Sequence, residues 1–228
     1  VTKFPVCKPI STGKQELKSP KITETLSYLA KNSRFRKGIA AEFLYVGIQT
    51  AVWSYTIRLA LELNPDINER FASNFMVFSY IAFFIGKFVA NLLIARFSTT
   101  KILTAYSVIG SLLLIYVSFV PNMTSVYAAI GVSLFFGPCW ASIYAETLEV
   151  VEDKRYTETA GAVLVMSIVG GAFVPAIQGY VSDILGSMQI SFLVSFVCFA
   201  YIGYYFYKES KKQAVAKQQE QEHVEAIK

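Results

Sequence analysis

Charge is scarce in this chain and histidine scarcer. Of 228 residues, 16% are charged, against about 25% in an ordinary soluble domain, too few to cover a water-facing surface. The single histidine, His223, lies in a polar tail. That excludes a Ser-His or Cys-His catalytic pair, a His-ligated zinc and a His-held haem within the apolar body. The three cysteines, Cys7, Cys139 and Cys198, are far apart and form no CxxC, so neither a disulfide framework nor a metal cluster is indicated. A six-span serine protease needs a histidine inside the membrane, and none is there. No enzymatic activity, metal or cofactor is therefore expected. Paired Asn-Pro-Ala motifs and a Thr-Val-Gly-Tyr-Gly run are also missing, which leaves water and potassium channels without support.

What the chain has is apolar length: 54% of it is hydrophobic and its mean hydropathy is +0.44. About 20 mostly apolar residues suffice for a helix to cross a bilayer. Six stretches qualify, approximately Ile39 to Leu63, Asn74 to Ala95, Ile102 to Val120, Ser125 to Leu148, Thr159 to Ser182 and Gln189 to Tyr207. Turn chemistry separates them, as at Asn64-Pro65-Asp66, Pro121-Asn122 and Leu185-Gly186-Ser187. The expected fold is all-α, a polytopic membrane protein of six transmembrane helices.

Basic residues orient the spans. Nine Lys and Arg precede the first span, the successive loops hold one, two, none, two and none, and the tail holds five. This alternation places both ends of the segment in the cytoplasm, and a bacterial inner membrane is the expected location. It also accounts for the net charge of +5 through anionic lipid rather than nucleic acid. The chain divides into a polar linker (1–34) with a short surface helix over Ile22 to Lys31, a six-helix domain (35–207) and a polar tail (208–228). A chain that opens in such a linker reads as the second half of a longer one.

Polar groups within a span are costly, about 2.5–3.5 kcal/mol for a mid-helix charge, and so are candidates for function. The first span carries Glu42, Gln49, Arg58 and Glu62. Gln49 and Trp53 share a face one turn apart. An amide that bonds hydroxyls beside an indole that stacks on a sugar ring suits a carbohydrate site; a packed helix interface is the alternative. Arg58 and Glu62, four apart near the outer end, are spaced to pair as a structural or gating charge. Lys87 and Asn91 are likewise four apart on the second span, with Arg96 just beyond. Lys87 either snorkels or neutralises a carboxylate on a neighbouring helix. The fourth span has Gly137-Pro138, which interrupts the helix, then Trp140 and Tyr144 on one face and Glu146 near the cytoplasmic end. In the fifth span Gly171, Pro175 and Gly179 recur every four residues. They make a small-residue face that admits another helix closely, and Gln178 is its polar exception. Spans one to three and four to six form two triplets of opposite direction, with Trp53 and Trp140 on the first helix of each.

Three blocks carry a family resemblance. They are Glu42-Phe43-Leu44-Tyr45-Val46-Gly47-Ile48-Gln49 running on to Trp53-Ser54-Tyr55-Thr56-Ile57-Arg58, then Ala82-Phe83-Phe84-Ile85-Gly86-Lys87-Phe88 with Arg96-Phe97, and then Val165-Met166, Gly170-Gly171, Pro175, Gly179 and Ser182-Asp183. Over residues 35 to 207 the chain resembles the C-terminal half of the L-fucose/proton symporter family of the major facilitator superfamily. That resemblance implies a twelve-span carrier in which two six-helix halves rock around a central sugar. The expected partners are a small-molecule sugar, a proton as coupling ion, the N-terminal six-helix half and the lipid bilayer. The family's proton-coupling acids belong to its N-terminal half and are not transferred to Glu42, Glu62 or Glu146. Gln49, Trp53, Trp140 and Gln178 are the expected substrate-facing residues, with Arg58, Glu62, Lys87 and Arg96 as gating or structural charges. Lys87 stands where the family usually has arginine. Ala141-Ser142-Ile143-Tyr144 stands where it places proline before Thr-Ile-Phe, which leaves the sugar open between L-fucose and related hexoses. The competing reading is a complete six-span pore or a non-transporting membrane subunit.

Overall fold

The structure, a computed structural model, describes residues 22–226, without the side chains of 216, 217 and 220–226. The first 21 residues of the expected linker, Cys7 among them, lie outside the described residues, as does the His223 side chain. Every regular element described is helical. A short helix α1 (Ile22–Lys31) leads into α2 (Ser33–Leu63), α3 (Glu69–Ile94) and α4 (Thr99–Phe119). The fourth expected span is α5 (Met123–Val132) and α6 (Cys139–Glu149), joined by a 3-10 turn at Ser133–Phe135. The fifth is α7 (Thr157–Met166) and α8 (Gly170–Leu185), joined by a 3-10 turn at Ser167–Val169. The last helix, α9 (Met188–Ala226), runs through the expected tail without a break.

Local chemistry sets these limits. Asn32, Asn68 and Asn122 cap α2, α3 and α5, each side chain accepting from backbone N–H groups of the first turn at 2.8–3.2 Å. Gly186 ends α8 in the left-handed region, φ 62°, where a side chain would clash with the backbone. The fourth span breaks at Gly137-Pro138, as its sequence suggests. The fifth breaks at Ser167–Val169, ahead of Pro175, which sits inside α8.

Among the described residues five helical segments are long and apolar enough to cross a membrane: α3, α4, α5–α6, α7–α8 and α9 as far as Val215. The remaining long helix, α2, has 31 residues but a mixed sequence, with Glu42, Gln49, Thr50, Ser54 and Thr56 among its apolar residues. Its position explains that composition. It is the hub, packing against α3, α5, α6, α8 and α9, so less of it meets lipid. By contrast α3 exposes Phe78, Phe84, Phe88 and Leu92, an apolar surface suited to hydrocarbon.

The main core lies where α2, α5–α6 and α9 meet, with Tyr45, Ile48, Phe136, Phe192, Phe199 and Phe206 fully or almost fully buried. Along its other side α9 packs on α4. A smaller cluster of Leu29, Phe35, Tyr156 and Leu164 fastens α1 to α7, and the Tyr28 and Tyr156 rings stack at 4.6 Å.

Candidate functional site

The broken span carries the most organised polar geometry. Trp53 of α2 donates its indole N–H to Ser133 Oγ at 3.2 Å, in the 3-10 turn between α5 and α6. Its ring meets Tyr80 and Phe83 of α3 edge-on, at centroid distances of 4.6 and 5.4 Å. Three elements thus fix one half-buried indole. Gln49, one turn away, is half-buried and has no hydrogen bond among the described residues, so its amide is free to bind. Further along the broken span Trp140 and Tyr144 stack at 5.6 Å with planes 17° apart. Trp140 is 38% exposed. Both sequence-expected aromatic positions therefore keep accessible ring surface.

Gln178 does not join them. It is fully buried, and its Oε1 accepts from Ser195 Oγ of α9 at 2.7 Å. This amide sits in the α8–α9 contact, and its Nε2 has no hydrogen-bond partner among the described residues. The small-residue face of α8 turns to α2 instead, where Tyr55 donates its hydroxyl to the Pro175 carbonyl at 2.7 Å and Gly170 touches the Phe43 carbonyl.

Arg58 and Glu62 form no ion pair with each other among the described residues. Both Glu62 oxygens accept from the Met188 backbone N–H, at 3.0 and 3.2 Å, which caps the start of α9. Arg58 lies 6.0 Å from the Tyr55 ring centroid instead. Lys87 makes no ion pair among the described residues; its ammonium sits over the Phe83 ring at 5.3 Å. Arg96 is exposed at the end of α3.

Several interactions have partners too distant in sequence to be read from spacing. Toward the α9 extension, Arg34 and Lys212 both bond Glu209, at 2.8 and 2.6 Å. Gln213 donates to both oxygens of Glu146 at 3.1 Å and accepts from Thr100 at 3.0 Å. These bonds tie α2, α4 and α6 to α9 just beyond its apolar part. In the loop between α6 and α7 the Arg155 guanidinium binds the Asp153 carboxyl at 2.6–3.1 Å and holds it below the usual carboxylate range. Among the described residues no cluster of ligating side chains is placed to hold a metal. A groove of about 350 Å³ between α4 and α9, lined by Ser107, Leu112, Phe196 and Tyr204 among others, lies away from both aromatic groups.

Comparison with known proteins gives one consistent result. The model of the family described as Major Facilitator Superfamily matches residues 39–228. The L-fucose-proton symporter of Escherichia coli (strain K12) is 34% identical over 203 residues, 89% of this chain and 45% of the symporter. The glucose/galactose transporter of Brucella abortus is 24% identical over 169 residues, 74% of this chain and 40% of the transporter. A crystal structure of the transporter FucP in the outward conformation superposes with a TM-score of 0.78 at 33% identity, covering 90% of this chain and 49% of that one. The chain spans about half the length of the curated relatives it matches.

Proposed function

The chain belongs to the major facilitator superfamily, and from that premise we propose that it is the C-terminal six-helix half of a sugar:proton symporter working by alternating access. The observation that carries this reading is the joint match in sequence and shape to half of an L-fucose-proton symporter. In this reading α2 is the first of six spans, both ends of the segment face the cytoplasm, and the N-terminal half completes the cavity.

Gln49, Trp53 and Trp140 are the proposed sugar-facing residues. A hexose offers hydroxyls around an apolar C–H face. An unengaged amide next to a fixed indole answers both, and an indole already held by Ser133, Tyr80 and Phe83 loses little freedom on binding. Arg58, Lys87 and Arg96 are proposed gating or structural charges. The breaks at Ser133–Pro138 and Ser167–Val169 are proposed bending points, since helices interrupted near mid-membrane are where carriers place sites and motion. L-fucose and the related hexoses glucose and galactose are the candidate substrates.

The test is uptake of labelled sugar by the intact protein, with Trp53→Ala and Gln49→Ala compared at equal expression. The expected outcome is a KM raised about tenfold or more in each, a loss of about 1.4 kcal/mol of binding. Unchanged affinity and rate in both variants would remove them from the site. Steady single-channel current from the purified protein would favour the pore instead.

A further inference from the structure

Two carboxyl side chains are buried among the described residues, Glu42 and Glu209. Glu209 is matched by Arg34 and Lys212. Glu42 is matched by nothing: it is 0% exposed, and neither of its oxygens has a hydrogen-bond partner. We propose that Glu42 is a proton-binding site of this chain, holding a proton while α2 and α6 are packed together and releasing it when they part. This rests on the membrane reading of the chain and goes beyond the proposed sugar site.

The surroundings leave the carboxyl no other way to be neutral. Gly38, one turn before Glu42, abuts Thr147 of α6, and Tyr45, almost one turn after, donates to the Phe136 carbonyl at 2.9 Å. Residues 38, 42 and 45 share a helix face, so Glu42 lies on the stripe that faces the broken span. The titratable groups in electrostatic range are Tyr45 and Cys139. Both spend their hydrogens elsewhere, Tyr45 on Phe136 and Cys139 on the Phe135 carbonyl at 3.4 Å. On the other elements packed against α2 the charged and titratable groups are also engaged or remote. Tyr205 of α9 shares a hydrogen bond with Thr147 at 3.3 Å, Glu209 is paired, and Glu146 of α6 takes Gln213. Lys87 of α3 lies over Phe83, while Glu158 of α7 and Asp183 of α8 are exposed at helix ends. Glu24 of α1 accepts from Tyr156. A bare carboxylate in such a place carries an uncompensated desolvation penalty; the acid does not.

Full enclosure by this chain's own helices also means that no other subunit or domain reaches the carboxyl without moving them. The hinge for that movement is at hand. α6 starts at Cys139 directly after the break, without a side-chain cap, so it can swing at residues 136–138 and keep its internal hydrogen bonds. Water entering the opened α2–α6 seam would take the proton, and reclosure would require its return. Low pH thus favours the packed seam, and rising pH favours the open one.

The decisive experiment is infrared difference spectroscopy of the full-length protein in proteoliposomes, wild type against Glu42→Gln, at neutral pH with deuterium exchange. The wild type is expected to show the carbonyl stretch of a protonated carboxylic acid that exchanges slowly and is lost in Glu42→Gln. Identical spectra would overturn the proposal. If Glu42→Gln does not fold, Cys139→Ser alters the immediate neighbour: a shifted acid band supports the assignment, and an unmoved or absent one overturns it. In labelled-sugar exchange, the wild-type rate should change with pH across the range in which the band disappears, while Glu42→Gln should be flat. Superimposable pH profiles would refute the coupling to movement. A wild type that carries no sugar contradicts the sugar reading alone, because the infrared band still decides Glu42.

Discussion

Trp53 is held at three points, by Ser133 and by the rings of Tyr80 and Phe83, and that fixity is what distinguishes it from a generic interfacial tryptophan. Glu62 illustrates the opposite case, a charge whose position invites a functional role but whose contacts are structural. It caps α9 through the Met188 N–H. Glu62→Ala should therefore cost about 1 kcal/mol of stability, the usual loss of an N-terminal cap. Arg58→Ala should cost less than about 0.5 kcal/mol, as a surface change does. Thermal melts of the intact protein in detergent check this; equal losses in the two variants would restore the ion pair. The sequence placed Arg58 and Glu62 four apart, which licenses pairing within a helix. It carried no sign that a backbone N–H 126 residues away would take the carboxylate instead. The Gln178–Ser195 hydrogen bond was hidden for the same reason, since Ser195 lies on the next helix. Glu42 was visible as an ionisable residue within a span, but its lack of any partner is a property of packing.

Among the elements, α2 and α8 approach as closely as backbones allow. A methyl group at Gly170 would run into the Phe43 carbonyl, and backbone atoms do not yield as a flexible side chain would. Gly170→Ala should destabilise the protein by about 1–3 kcal/mol, the range for overpacking a filled interior. Gly131 offers a control, because its nearest neighbour is Leu113 Cδ1 at 3.7 Å, ordinary contact. Gly131→Ala should be neutral or slightly stabilising through helix propensity. Melting temperatures of the two variants, measured side by side, test the claim; equal behaviour would mean that the α2–α8 approach is looser than described. The small-residue pattern of the fifth span announced such a contact, and α2 is the helix that makes it. The break in the fourth span was equally legible, because Gly137-Pro138 cannot continue a helix without loss. The break at Ser167–Val169 has no proline or glycine within it; Gly170-Gly171 directly after it and Pro175 beyond marked a bend in this span but not its position.

The whole molecule is a hub helix surrounded by spans, closed beyond the membrane by the Arg34–Glu209–Lys212 and Glu146–Gln213–Thr100 contacts. Hydropathy and turn residues sufficed to delimit the helices, because a bilayer imposes one length and one chemistry on every crossing. The hub is the exception: its polar content, which lowers its apparent fitness to span, follows from its central place. The central claim is that this chain belongs to a proton-driven sugar carrier. The most direct measurement is uptake of labelled L-fucose, glucose and galactose by the full-length protein in proteoliposomes, with and without an inward proton gradient. The account predicts saturable accumulation of at least one of these sugars, collapsing when the gradient is dissipated. Uptake of none, or uptake indifferent to the gradient while the protein remains folded, would contradict it.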